Sequence, residues 1–457
     1  MGRFSQYLTD LLPKTGRVMT EDGGYINTAD YMSNDRRGIY TRPANGTNLD
    51  AFGRQRISSP TTLFDAQQEY GLDTRMIWDA TANGNYAAES SNGSVSDAGA
   101  LVGPRNINTR MTPITASEVD GSEAILQSRQ YVRYIPGKSQ FIAMTGIFAT
   151  AGSAMSIVVR SSTSGSVVDR IAKQEEWTVD KFDGTGESGI VIDFTKTQIF
   201  IIDAQWLSVG KVRIGFDIGG IFRVAHEFDN ANQLTVPYTQ TFNLPVRAEA
   251  KTDATGTNLL AGYYDSANGV FLKARTPSPG GTLQFICCTV QSEGGEEARG
   301  FQLSAATSLA GRAISGELPV IAIRPKSDHN GIINRSHVEL VGYSIDVQLV
   351  DCLVAVVLGG TVTGGTWVSR GANSTVEYNI TGTAISGGET IRGGFAVAGV
   401  GSQGGLLAEV VGDPRTPFIL SQIDAYAARQ IETAIVLTPL TGSGTARAAI
   451  NWNEQTI

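Results

Sequence analysis

Apolar and polar residues alternate with a period of two in short runs along most of this chain, the pattern of half-buried β-strands. The runs include "QFIAMTGIF", "MSIVVR", "IVIDF", "QIFIIDAQWL", "YTQTFNLPVRAEA", "TLQFICCTVQ" and "LPVIAIRP", each bounded by Gly, Asp, Asn or Pro. The clearest is "KVRIGFDIGGIFRVAHEF": Val212, Ile214, Phe216 and Ile218 alternate, Gly219-Gly220 supplies a tight turn, and the apolar pattern resumes at Ile221. That predicts a β-hairpin. One segment, "SQIDAYAARQIE", is a fair helix candidate, and no fixed-period repeat argues for a solenoid or shaft.

These runs predict an all-β protein of two or more β-sandwich, jelly-roll-like domains. Residues 1–50 are polar with scattered aromatics and lack a periodic apolar face, so they read as an extended N-terminal arm. Residues 51–128 form a clasp and a polar strand and loop region. A first sandwich is expected over 129–250 and a second over 251–457, with "AKTDATGTN" (Ala250 to Asn258) as the best linker or long-loop candidate.

Composition supports this reading. Charged residues make up 18% of the 457, hydrophobic residues 41%, and there are 53 glycines, which suits turn-rich sheets better than helical bundles. A net charge of −8 argues against a nucleic-acid surface, because phosphate contacts need clustered Lys and Arg. The first 56 residues carry eight basic against six acidic side chains, too small an excess for a DNA-binding arm. No apolar run has signal-peptide or transmembrane length, so a soluble protein without membrane partners is expected.

The three cysteines suggest no disulfide framework. Cys287 and Cys288 are adjacent on a strand pattern and point to opposite faces, like two small hydrophobes, and Cys352 stands alone. Assembly in a reducing cytoplasm follows.

Candidate chemistry is sparse. His226, His329 and His337 lack the His and Cys spacing of a zinc site. Glu227, Asp229, Asn230 and Asn232 in "EFDNAN" offer oxygens to a calcium ion, although Asx turns are the commoner use of such residues. No other cofactor or metal is expected. "GVGSQG", Gly399 to Gly404, matches the dinucleotide fingerprint in letters but has no room for the helix that must follow. Glu118, Asp120, Glu123 and the Glu296-Glu297 pair could imitate glycosidase carboxylates, but neighbours of this kind are expected among 44 acidic residues. No catalytic residue emerges.

Other segments resemble a known family. "AFGRQRISSPTTLFDAQQEYG" (51–71) is similar to the AFGR-x-R-x-S-x-P-x-x-LFD segment of structural proteins from tailed bacteriophages, many of them short-tailed and marine. "RQYVRYIPGKSQFIAMTGIF" resembles that family's tyrosine-rich PGKSQ strand, and the 189–250 stretch resembles its longest shared island. "FICCTVQSEGGEEARG", "GGTWVS" with "NSTVEYNI", and "RAAINWNE" continue in the family's order. The six islands span about Ala51 to Glu454.

The resemblance implies a virion component made in the host cytoplasm, with copies of itself and other tail, portal or neck proteins as partners. It implies a non-enzymatic subunit associated with the tail, as a collar, a sheath around the tail tube or an appendage base. The alternatives are a capsid decoration or other head protein, and a glycan-binding fibre module with Trp177, Trp206 and Trp367 as platforms.

The residues expected to dock the arm lie at 52–64. Phe52 is an aromatic anchor, Gly53 gives a turn its backbone freedom, and Arg54 and Arg56 pair with acidic groups. Pro60 ends strand pairing, and Leu63 and Phe64 fill an apolar groove. Docking onto a neighbouring subunit and clasping within one chain are both open at this point.

Overall fold

The computed structural model describes residues 61–67, 77–87, 94–135, 137–205, 207–294, 300–398 and 430–455, with the backbone of four short strands, Arg17–Met19, Tyr25–Asn27, Gly405–Val410 and Phe418–Ile419. The protein is all-β, built from antiparallel sheets packed as two sandwiches. The helix candidate of "SQIDAYAARQIE" lies outside the described residues except for its last three positions, 430–432, and Glu432 begins a strand. Among the described residues no helix is long and apolar enough to cross a membrane.

The first sandwich pairs a nine-stranded with an eight-stranded sheet. Strict alternation builds it: Gln140–Ile147 buries every second residue, with Ile142 and Met144 inside. At the centre of the larger sheet, the long strand Gly281–Ser292 pairs with Gln140–Ile147, Thr112–Ala116 and Thr61–Gln67. The hairpin expected from Val212 onward forms as Val212–Asp217 against Phe222–Phe228. Gly219 and Gly220 have φ of 68° and 80°, a left-handed pair that a two-residue turn requires and glycine adopts without strain. Phe200, Phe216, Phe182, Phe194 and Trp177 interlock between the sheets, mostly edge to face.

The second sandwich packs a six-stranded sheet on a seven-stranded one. His337–Gln348 runs antiparallel to Gly444–Gln455, and Cys352–Thr363 antiparallel to Glu432–Pro439. Its core holds Val354, Val356, Ile435, Leu437 and Ile450 around the fully buried Trp452.

The sheets do not divide where the sequence reading placed its boundaries. The 250–258 segment is not a linker: Val246–Asp253 pairs with Gly256–Tyr264, and Asp253 Oδ1 accepts the Thr255 amide at 2.9 Å to close an Asx turn. The strands of 61–128 also belong to the first sandwich, since Trp78–Ala82 and Glu123–Ser128 join the eight-stranded sheet and Thr61–Gln67 and Thr112–Ala116 the nine-stranded one. The core of the first sandwich runs from Phe64 to Val290 and that of the second from Ala305 to Trp452. The changeover therefore lies between Ser292 and Phe301. A turn of polar residues looks the same in sequence whether it joins two strands or two domains.

Candidate docking site

Of the arm-docking residues, Phe52, Gly53, Arg54, Arg56 and Pro60 lie outside the described residues. Leu63 and Phe64 sit on the strand Thr61–Gln67, which pairs with the central strand in the register Thr61 to Ser292, Phe64 to Val290 and Gln67 to Cys287. The register shifts between Val290 and Gln291, so Leu63 is the extra residue of a bulge. Phe64 turns into the core at 8% exposure. Its ring meets Trp78 of the opposite sheet edge-on, 5.9 Å between centroids, and Trp78 meets Phe285 at 5.3 Å. Leu63 is half-buried against the same core, and its carbonyl accepts from Gln130 Nε2 at 3.5 Å. For these two residues the apolar groove belongs to the chain's own first sandwich. Burying the phenyl group contributes about 1.5–3 kcal/mol.

A second constellation joins the two sandwiches and was invisible in sequence. Arg335 donates through Nε to Asp265 Oδ2 at 2.8 Å, with a second contact from its terminal nitrogen to the same oxygen. The other oxygen, Oδ1, accepts the Ala267 and Asn268 amides, each at 2.8 Å. Both side chains are nearly dry, 8% and 2% exposed. Nearby, Arg133 of the first sandwich donates to Gln455 Oε1, and Gln455 Nε2 donates to Glu339 Oε1 at 3.0 Å. His337 Nε2 lies 3.2 Å from that carboxylate, and this hydrogen bond holds the Glu339 carboxyl below the ordinary glutamate range. Burial, and then the negative charge of Asp265, push the Tyr131 phenol up. A cavity of about 290 Å³ opens beside this junction, lined by Phe242, Asn243, His329, Ile333 and Thr375 among others. Asp265 and Arg335 are 70 positions apart, and Arg133 and Gln455 are 322 apart, so no local motif announces them.

The other candidates have structural employment. Glu227 and Asp229 both meet Lys211, at 2.6 and 3.0 Å. Asn230 Oδ1 accepts from Arg170 at 2.7 Å, so these oxygens, proposed for calcium, serve protein cations and donors. Among the described residues no three His, Cys, Asp or Glu side chains cluster as metal ligands. Glu123 pairs with Lys251 at 2.6 Å, and Glu296 and Glu297 lie outside the described residues. The Gly399–Gly404 match lies outside them too.

His226 is buried, with Nδ1 accepting the Thr178 amide at 3.2 Å, and burial followed by the charge of Arg170 lowers its pKa. Cys287 contacts Thr145 Oγ1 at 2.9 Å on one face, while Cys288 and Cys352 are buried in the two cores; all three are free thiols.

Of the three tryptophan platforms, Trp177 needs correction. Trp177 is buried in the first core with Nε1 donating to the Ala172 carbonyl at 3.1 Å, because the sheets need a large apolar plug at that edge. Trp367 is half-buried, and the Arg324 guanidinium covers one face of its ring at 4.1 Å. Trp206 lies outside the described residues.

No family model and no curated protein matches the chain. Among solved structures it is similar to a lectin from Bauhinia forficata in complex with GalNAc, at 10% identity over 51% of this chain and 98% of that one, with a TM-score of 0.16. It is also similar to LamAcat from Zobellia galactanivorans, at 10% identity over 51% and 95% of the two chains, TM-score 0.13. The T=1 particles derived from infectious bursal virus match at 9% identity over 88% and 80%, TM-score 0.10. Scores this low carry no argument about activity. The chain's own geometry makes it an all-β protein of two sandwiches joined by a buried polar junction.

Proposed function

We propose that this chain is a non-enzymatic structural subunit of a tailed-bacteriophage particle, associated with the tail as a collar, a sheath or an appendage base. It works as symmetric copies, in contact with other tail, portal or neck proteins. The observation that carries the reading is the rooting of Phe64. The segment that resembles the phage family enters the first sandwich as a strand, and Phe64 anchors it between the sheets against Trp78. A polar arm rooted in this way can grip a neighbour without loosening the fold that carries it. The junction supports the same reading, since buried pairs such as Asp265–Arg335 hold two sandwiches as one building block.

Mass spectrometry of purified particles tests this by copy number. A small multiple of a cyclic symmetry supports the tail position. Hundreds of copies place the chain in the head, as a decoration or cement protein. Absence from particles overturns the reading.

A further inference from the structure

The eight-stranded sheet of the first sandwich ends on the strand Val168–Lys173, which pairs on one side with Ala154–Ser161 and, among the described residues, with no strand on the other. The neighbouring sheet treats its edge differently. There the amides of Val179 and Asp180 both donate to the Ala225 carbonyl at 3.1 Å, so a loop covers the outer strand Phe222–Phe228. The Val168–Lys173 edge is capped at its C-terminal end alone, where Glu176 Oε2 accepts the Lys173 amide at 3.0 Å and the Trp177 indole donates to the Ala172 carbonyl; among the described residues no strand or loop amide pairs with the open side of Val168 to Ile171. It also exposes three aliphatic side chains in a row of five residues: Val167 at 51%, Val168 at 50% and Ile171 at 48%. An open edge with apolar flanks is a template for another strand.

We propose that this edge pairs antiparallel with the same strand of a second copy, about a two-fold axis through Ile171. The sequence of the strand selects both the partner and the register. A two-fold axis normal to the sheet keeps each face on its own side, so opposed residues must share a face. Ala172 joins the core, which places Asp169, Ile171 and Lys173 together on the outer face. An axis through Asp169 opposes Asp169 to itself, one through Arg170 opposes two arginines, and one through Ala172 sets Ile171 against Lys173. Like charges directly opposite are destabilising. Only the axis through Ile171 stacks Ile171 on Ile171 and sets Asp169 of each copy against Lys173 of the other. Asp169 is already held by Arg160, at 2.8 and 3.0 Å, but a carboxylate keeps further lone pairs for a second cation. Lys173 makes no ion pair among the described residues. The Ala172 carbonyl accepts the Trp177 indole at 3.1 Å and retains one acceptor site for the incoming strand.

The inference rests on the self-assembling reading above, and the two fail separately. A chain found in particles but monomeric in solution defeats this edge and spares that reading, whereas a dimer absent from particles does the reverse. The test is sedimentation velocity of the full chain across a concentration range, with oxidative crosslinking. Ile171→Cys is expected to give a covalent dimer, because opposed residues have Cα atoms about 4.5–5.5 Å apart. Lys173→Cys is not, since the two positions 173 lie roughly 14 Å apart at about 3.4 Å per residue. Ile171→Asp, which sets one carboxylate directly against its copy across the axis, is expected to weaken self-association about tenfold or more. These positions are exposed, so the fold tolerates the changes. A monomeric wild-type chain overturns the proposal. So does a dimer that Ile171→Asp leaves unchanged, or one in which Ile171→Cys fails to crosslink or Lys173→Cys crosslinks equally well.

Discussion

Asp265 of the first sandwich and Arg335 of the second form a buried ion pair, and the aspartate's remaining oxygen is saturated by two backbone amides. A pair of this kind contributes little net stability compared with an apolar substitute, yet breaking it from one side strands a charge. Arg335→Ala is therefore expected to cost about 3–5 kcal/mol in urea unfolding. The double change Asp265→Asn with Arg335→Met removes both charges and is expected to cost less than Arg335→Ala alone. Simple additivity of the single changes would contradict a direct coupling.

Phe64→Ala opens a hole between the sheets beside Trp78 and Phe285. The expected loss is about 3–5 kcal/mol by chemical denaturation. Leu63→Ala, at the half-buried bulge, is expected to lose clearly less. Equal losses would mean that the strand is not rooted by the phenyl ring.

The depressed Glu339 carboxyl makes a pH prediction. The folded state favours the ionised acid, so its contribution is fully present above the unfolded value, about 4.3. It is lost as the pH falls through the lower folded value. Glu339→Gln is expected to flatten the acid limb of a melting-temperature profile below about pH 4.3. An acid limb as steep as that of the wild type would reject the His337–Glu339 bond as its source.

His226 acts at a higher pH. Its folded pKa is depressed by burial and by Arg170, so its stabilising contribution is present above the unfolded value, about 6.5, and drains away as the pH drops through the folded one. NMR titration of the imidazole is expected to place its midpoint below that of a free histidine. A midpoint at or above the free value contradicts the burial of the ring.

The thiols give a chemical readout. Burial pushes the Cys288 and Cys352 thiols up, and both are enclosed in cores. Under native conditions a thiol reagent is expected to reach Cys287 alone, and slowly, with all three residues reacting in denaturant. Rapid native labelling of Cys352 would show that the second core is open.

Local order in the sequence determined much of this protein. The alternation of Val212, Ile214 and Phe216 with the glycine pair behind them was enough for the hairpin, and the strand period was enough to set Cys287 and Cys288 on opposite faces. Both depend on neighbours a few residues apart, where the period of side-chain direction is fixed by the backbone. Which strands lie side by side was decided only in three dimensions. Thr61–Gln67 finds Gly281–Ser292, the 250–258 turn folds back instead of linking domains, and Trp177 becomes core instead of platform. Asp265 meets Arg335 for the same reason. Strand partners and buried charges are selected by the free energy of closing long loops around a shared core, and nothing in a local run of residues encodes that closure.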